Sequence, residues 1–251
     1  MLKFSCVVIT GLLLLGILSG CGSANAEKTV LEFEAILDNA ATAENIDKAN
    51  DYLEGRLSKL NDEQAGSLLL DLEAYAANYD ADYLQYDDLV KRYKGEIPGA
   101  MAELFELKAI EQKAPILKDA TLQLSWADLL ERAMAVEEFI RANQEDLMVK
   151  EDALWLYRRY VNALLMGASN SPVFDYGTHA FSPEAQAAYD VCRAEYPGSA
   201  VAQILAEYEK YLDGLGYELR YEEKEESAKF FETCSRLVSE AEKQVYSAGS
   251  Q

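Results

Sequence analysis

Apolar residues recur at intervals of three and four through most of this chain, which is the period of an amphipathic helix and not of a strand. Thr42 stands as an N-cap before Ile46, Ala49, Leu53 and Leu57, predicting a helix to about Leu60. Asn61, followed by Asp62 and Glu63, opens a second with Ala65, Leu68, Leu69, Leu72 and Tyr75 on one face. A helix or helix pair is expected from Tyr79 to Tyr93, stopped by Gly95, and another from Pro98 to about Gln112. The stretch 113–125 interrupts the pattern and is the one candidate sub-division of the body.

Ser125-Trp126-Ala127-Asp128 then resembles a capping box with Asp in the place of Glu, opening a helix to about Asn143. The spacing predicts a helix over 151–166, closed by Gly167. Ser182-Pro183-Glu184 combines a cap, a Pro at the first helical position and an acid behind it, a strong helix start. Pro197-Gly198-Ser199 turns the chain into a helix that ends at Gly214 and Gly216. The last helix, 222–246, sets Phe230, Phe231, Cys234, Leu237, Val238, Ala241 and Val245 on a stripe. Residues 29–34 suit a strand or a short helix equally, and 121–124 alternate too briefly to build a sheet. The expected fold is all-α: about eight helices as antiparallel hairpins, in a bundle or a solenoid-like stack, over residues 28–246.

The N-terminus has a different pattern. One Lys is followed by an apolar run of about 12 residues from Val7 to Leu18, against the ~20 that a spanning helix needs. This is the form of a secretory signal peptide. The run ends at Leu18-Ser19-Gly20-Cys21, which closely resembles a bacterial lipobox. The resemblance implies cleavage before Cys21 and a diacylglyceryl group on its thiol, making residues 1–20 a signal peptide and the chain a lipid-anchored lipoprotein of the cell envelope. The partner it implies is membrane lipid, and the location is the extracytoplasmic face. Two acyl chains give stable anchoring where one is marginal. Residues 21–27 read as a small, polar tether.

Composition narrows the remaining classes. The 251 residues carry 44 Asp and Glu against 23 Lys and Arg, a net charge of -21 that becomes -22 once Lys3 is removed with the signal. A general nucleic-acid interface needs the opposite sign. Anionic lipid headgroups should repel such a body, so acyl chains and not its surface would hold it at a membrane. One His and four Cys leave little material for a zinc or haem site, and no cofactor or metal is expected. Asp80, Asp82, Asp87 and Asp88 suggest calcium, but Leu84 stands where an EF-hand needs an oxygen ligand. No nucleophile motif is present, and carboxylate pairs such as Glu103/Glu106 and Glu137/Glu138 arise by chance in so acidic a chain.

The distinctive segment is the 167–181 loop, rich in aromatics and containing the single His. Phe174, Tyr176, His179 and Phe181 could dock it onto the helices or line a groove. With the basic pair Arg158 and Arg159 just upstream, Tyr176, His179 and Phe181 form the candidate ligand-binding set. The Arg pair could instead balance Glu151 and Asp152. Tyr75, Tyr79, Tyr83, Tyr86 and Tyr93 share one face if their helix is unbroken, either an aromatic strip for a peptide or glycan or packing between helices. Cys192 and Cys234 lie on apolar faces, either as buried thiols or as a disulfide closing a loop of about 40 residues. Over 185–206 the pattern Ala185, Tyr189, Cys192, Pro197, Ala202, Leu205, Ala206 resembles one inter-repeat turn of tetratricopeptide proteins, without a 34-residue period elsewhere. The functions left are an interaction or scaffold module at the envelope, with an envelope protein or peptide as partner, a solute- or peptide-binding lipoprotein, or an envelope enzyme.

Overall fold

A computed structural model describes residues 21–247; residues 1–20, where a signal peptide and the lipobox residues before Cys21 are expected, lie outside the described residues. Among the described residues the chain is all-α, with ten α-helices and two β-hairpins, each of two two-residue strands. α1 spans Cys21–Leu37, α2 Ala43–Leu53, α3 Asp62–Ala77, α4 Tyr86–Arg92 and α5 Gly99–Lys113. α6 spans Trp126–Ala142, α7 Leu147–Met166, α8 Pro183–Glu195, α9 Ala200–Leu215 and α10 Lys224–Ser247. No helix among them is long and apolar enough to cross a membrane.

The caps form where small polar residues precede the apolar periods. Thr42 accepts from the Asn45 N–H, and Asn61 with Gln64 forms a reciprocal capping box. Ser125, Ser182 and Ser199 each accept from the N–H three residues on. At Ser125 the reciprocal arm differs from a true box: the short Asp128 carboxylate accepts from the Ser125 hydroxyl at 2.6 Å.

Several boundaries move for local reasons. Residues 21–27, read as a tether, are the first turns of α1, and Ala26 is buried. Residues 29–34 are helical and bury Phe33. Asp146 caps α7 through the Met148 N–H, so that helix begins at Leu147 and not near Glu151. The expected tyrosine face does not form, because residues 78–85 leave the helix between α3 and α4. Tyr75 donates to the carbonyls of Asn39 and Ala40, Tyr83 to Asp47, Tyr86 to Glu73 and Tyr93 to the Asn50 carbonyl, whereas Tyr79 is exposed. These hydroxyls bind different helices together.

One continuous core runs from Phe33 to Val245, crossing the 113–125 stretch without a break. α7 is its axis and packs against α3, α5, α6 and α10. Being covered on several sides, it buries Leu154, Leu156, Tyr157, Tyr160, Val161, Ala163, Leu164 and Leu165. The 113–125 break holds β1 (Leu117–Lys118) paired with β2 (Thr121–Leu122). This hairpin is stitched to the segment after α7: the Asn170 N–H donates to the Ala120 carbonyl at 2.8 Å, and the Leu122 N–H to the Ser171 hydroxyl at 2.6 Å.

Candidate functional site

The 167–181 segment is docked, and its docking starts from a backbone problem. An α-helix ends with carbonyls that have no intrahelical partner, and α7 ends inside the core. Buried side chains supply the missing donors: the Tyr189 hydroxyl donates to the Leu164 carbonyl, and the Tyr208 hydroxyl to Leu165 at 2.8 Å. The Met166 carbonyl accepts from the Val173 N–H at 3.0 Å. That last bond needs the chain to reverse within a few residues, and Gly167 at φ +71° begins the reversal. β3 (Gly167–Ala168) pairs with β4 (Ser171–Pro172) to complete it. A Cβ on Gly167 would sit 2.3 Å from the Ser171 carbonyl oxygen, so no other residue fits.

Beyond β4 the segment makes a bridge between Phe174 and Phe181, both buried, with ring centroids 5.2 Å apart. The turn between them is braced by Asp175, whose Oδ1 accepts from the Gly177 N–H, the Thr178 N–H and the Thr178 hydroxyl. Those bonds favour the ionised form and hold the Asp175 carboxyl below its usual range. The turn is also tied to the α9–α10 connection: the Phe181 N–H donates to the Tyr217 carbonyl, and the Leu219 N–H to His179. Tyr176 is left 55 % exposed at the tip.

The candidate ligand set is not brought together. Phe181 belongs to the core, packed between Phe174, Tyr189 and Tyr217. His179 takes a left-handed backbone (φ +64°), with Nε2 at 3.7 Å from Glu222 and Nδ1 buried without a hydrogen-bond partner. Arg158 lies ~12 Å along α7 from its end; it faces α10, 3.7 Å from Glu242. Arg159 faces α5, 3.2 Å from Glu111, with its guanidinium 5.1 Å from the Trp155 ring. Neither pairs with Glu151 or Asp152, and Asp152 is bound by Lys108. Tyr176 is the most exposed of the set, while Arg158, Arg159 and His179 are part-exposed beside acidic partners.

Two buried carboxylates that no sequence pattern singles out hold the helices in place. Glu111 accepts from the Ile116 N–H, Arg132 and Tyr160 and pairs with Arg159, tying α5, α6 and α7 to the start of the β1–β2 segment. Glu137, 1 % exposed, accepts from the first N–H groups of α9, Ala200 at 2.7 Å and Val201 at 3.1 Å. Tyr157 and Arg141 complete its shell. Burial beside that carboxylate drives the Tyr157 phenol far above its usual range. Glu138, next in sequence, is exposed.

Cys192 and Cys234 are free, buried thiols and not a disulfide. Burial pushes Cys192 up to about 11 and Cys234 up to about 12, so both are unreactive at neutral pH. No three-residue group of His, Cys, Asp and Glu among the described residues is placed to hold a metal.

Two residues whose placement the sequence pattern conceals lie beside Tyr176. Phe231 was expected on the inward stripe of α10 but is 47 % exposed, while Phe230 is fully buried. Adjacent helical positions point about 100° apart, so only one of the pair can face the core. Tyr221, in the α9–α10 connection, has its ring 5.0 Å from Tyr176 and 6.3 Å from Phe231. Fold and site together define an all-α domain whose buried carboxylates Glu111 and Glu137 are committed to its own framework and in which Tyr176, Tyr221 and Phe231 meet at one corner. No family model, curated protein or solved structure matches the chain.

Proposed function

We infer that this protein is a lipid-anchored extracytoplasmic lipoprotein whose helical domain serves as an interaction or scaffold module at the cell envelope. The observation that carries this is Leu18-Ser19-Gly20-Cys21 at the end of a short apolar run behind a basic N-terminus. The body supports the module reading in two ways. Its buried carboxylates Glu111 and Glu137 are spent on helix–helix and capping bonds, leaving framework and not chemistry as their work. With residues 1–20 removed, its net charge of -22 keeps the domain off anionic headgroups, presenting the domain surface to partners in the extracytoplasmic space.

The test is intact-mass analysis of the chain recovered from its native membranes. A mature chain beginning at Cys21 with an acylated thiol is expected, and Cys21→Ala should abolish both the lipid mass and the cleavage. A wild-type chain carrying no acyl mass at Cys21 would overturn the anchoring.

A further inference from the structure

Two stretches distant in the chain meet at one corner, where Tyr176 and Phe231 are exposed and the half-buried Tyr221 lies between them. Tyr176 comes from the braced turn, Tyr221 from the α9–α10 connection and Phe231 from the first turns of α10. They sit over the core's own aromatic stack: Phe230, fully buried, lies 6.0 Å from Tyr221 and 5.6 Å from Phe174. Exposed rings gathered at one place, and not scattered singly, mark interaction sites.

The corner is built before any partner arrives. The Tyr176 hydroxyl donates to the Ser169 carbonyl at 3.0 Å, Asp175 clamps the turn, and the Ala180–Glu218 bridge fastens it to the next connection. A pre-ordered aromatic surface loses little conformational entropy on binding. Tyr176 and Asp175 also line a cleft of about 570 Å³ between the β3–β4 hairpin and the start of α8. The ring patch thus continues into a groove.

Charge selects among occupants. Around Tyr221, Glu222, Glu223, Glu225 and Glu226 are exposed against the exposed bases Arg220 and Lys224, so the run is acidic in balance. A second copy of a chain carrying -21, or an anionic membrane, meets repulsion there. A sugar stacks best on a flat face, whereas the Tyr176 and Tyr221 rings are tilted by 57° and leave a wedge between them. A wedge of rings beside carboxylates suits an apolar side chain flanked by Lys or Arg, which gains burial, cation–π contact and ion pairing together. We propose that the Tyr176–Tyr221–Phe231 corner docks a cationic peptide segment bearing apolar side chains, on a partner protein. The location of that partner at the envelope rests on the lipoprotein reading above; the binding itself does not.

The test titrates the full chain, as the cell processes it, in neutral phosphatidylcholine nanodiscs, or in buffer if its mass shows no lipid. The probes are a fluorescent peptide of alternating Lys and Phe, its Lys→Glu and Phe→Ala counterparts, and a tetramer of N-acetylglucosamine. The Lys/Phe peptide should bind best, with either counterpart weaker by about 10-fold or more. Combined Tyr176→Ala and Phe231→Ser should weaken the Lys/Phe peptide by a similar factor of about 10 at fixed salt, since both side chains are exposed and their loss spares the core. Trp155→Ser, removing an exposed aromatic beside Arg159, should leave binding unchanged. Equal binding by the double variant, no binding of the Lys/Phe peptide, or binding of the sugar that the double variant loses would each overturn the proposal. A chain without lipid that still binds the peptide through these rings would refute the anchoring reading and leave the docking site standing.

Discussion

Replacing Glu137 with Ala tests how much of this fold hangs on one buried carboxylate. Its oxygens accept from Ala200, Val201 and Tyr157 and lie 2.7 Å from an Arg141 guanidinium nitrogen. Alanine removes all four contacts and opens space at a site 1 % exposed. Hydrogen bonds to a charged acceptor contribute roughly 1.5–3 kcal/mol each, and an orphaned buried donor costs about 1–3 kcal/mol. Arg141 softens the loss, being 31 % exposed and still able to donate to the Gly198 carbonyl. Removing one partner of a buried pair typically costs about 3–5 kcal/mol, and that is the expected loss for Glu137→Ala. With a urea slope of about 3 kcal/mol/M, the unfolding midpoint should fall by roughly 1–1.7 M. Glu138→Ala, changing the exposed neighbour, should move stability by no more than about 0.5 kcal/mol. Glu137→Gln should fall between, since an amide oxygen can keep one α9 N–H while its NH₂ faces another donor. A Glu137→Ala midpoint within about 0.3 M of the parent would show that solvent or a rearranged cap satisfies the start of α9, and the reasoning would fail.

Two further expectations follow from the backbone and the thiols. Gly167→Ala and Gly216→Ala both place a side chain at positive φ, but only at Gly167 does the Cβ meet backbone, 2.3 Å from the Ser171 oxygen. Gly216→Ala should therefore cost about 1–2 kcal/mol and Gly167→Ala more than about 3 kcal/mol, read by thermal or urea unfolding; equal costs would refute the clash. Cys192 and Cys234 should resist iodoacetamide at pH 8 while folded and both react once unfolded without reductant; failure of either to label when unfolded would mean a disulfide. Their folded pKa values, about 11 and 12, lie above the value near 9 of an unperturbed thiol. The stability linked to them is complete below about pH 9 and is lost as pH rises through 11 and 12, with the buried Tyr189 and Tyr208 phenols acting in the same direction. A urea midpoint flat from pH 8 to 11 would contradict the burial.

Much of the framework was legible because it is set by contacts a few residues apart. The caps at Thr42, Asn61, Ser125 and Ser182 and the Gly167 stop are local hydrogen-bond and φ requirements, and the structure places them where the spacing does. Pairing between elements was not legible. Arg236 has an i,i+4 partner available at Glu232, yet it binds Glu207 on α9 and Glu240. Arg158 and Arg159 find Glu242 and Glu111, distant in sequence, and not their neighbours Glu151 and Asp152. The candidate site divided in the same way: the 167–181 loop was recognisable by its length and aromatics, but which of its rings face water was not.

By itself, then, the sequence determined an all-α body, most of its helix starts and stops, and the resemblance of its first 21 residues to a lipoprotein signal. Periodicity, caps and a signal pattern are properties of short windows, so a window suffices to read them. Only the tertiary structure decided that Glu137 caps a helix 63 residues away while Glu138 faces solvent. It also decided that Phe230 enters the core while Phe231 joins Tyr221 and Tyr176 outside it. Adjacent residues of one chemical type differ only in direction, and which direction is inward depends on where helices distant in the chain come to lie.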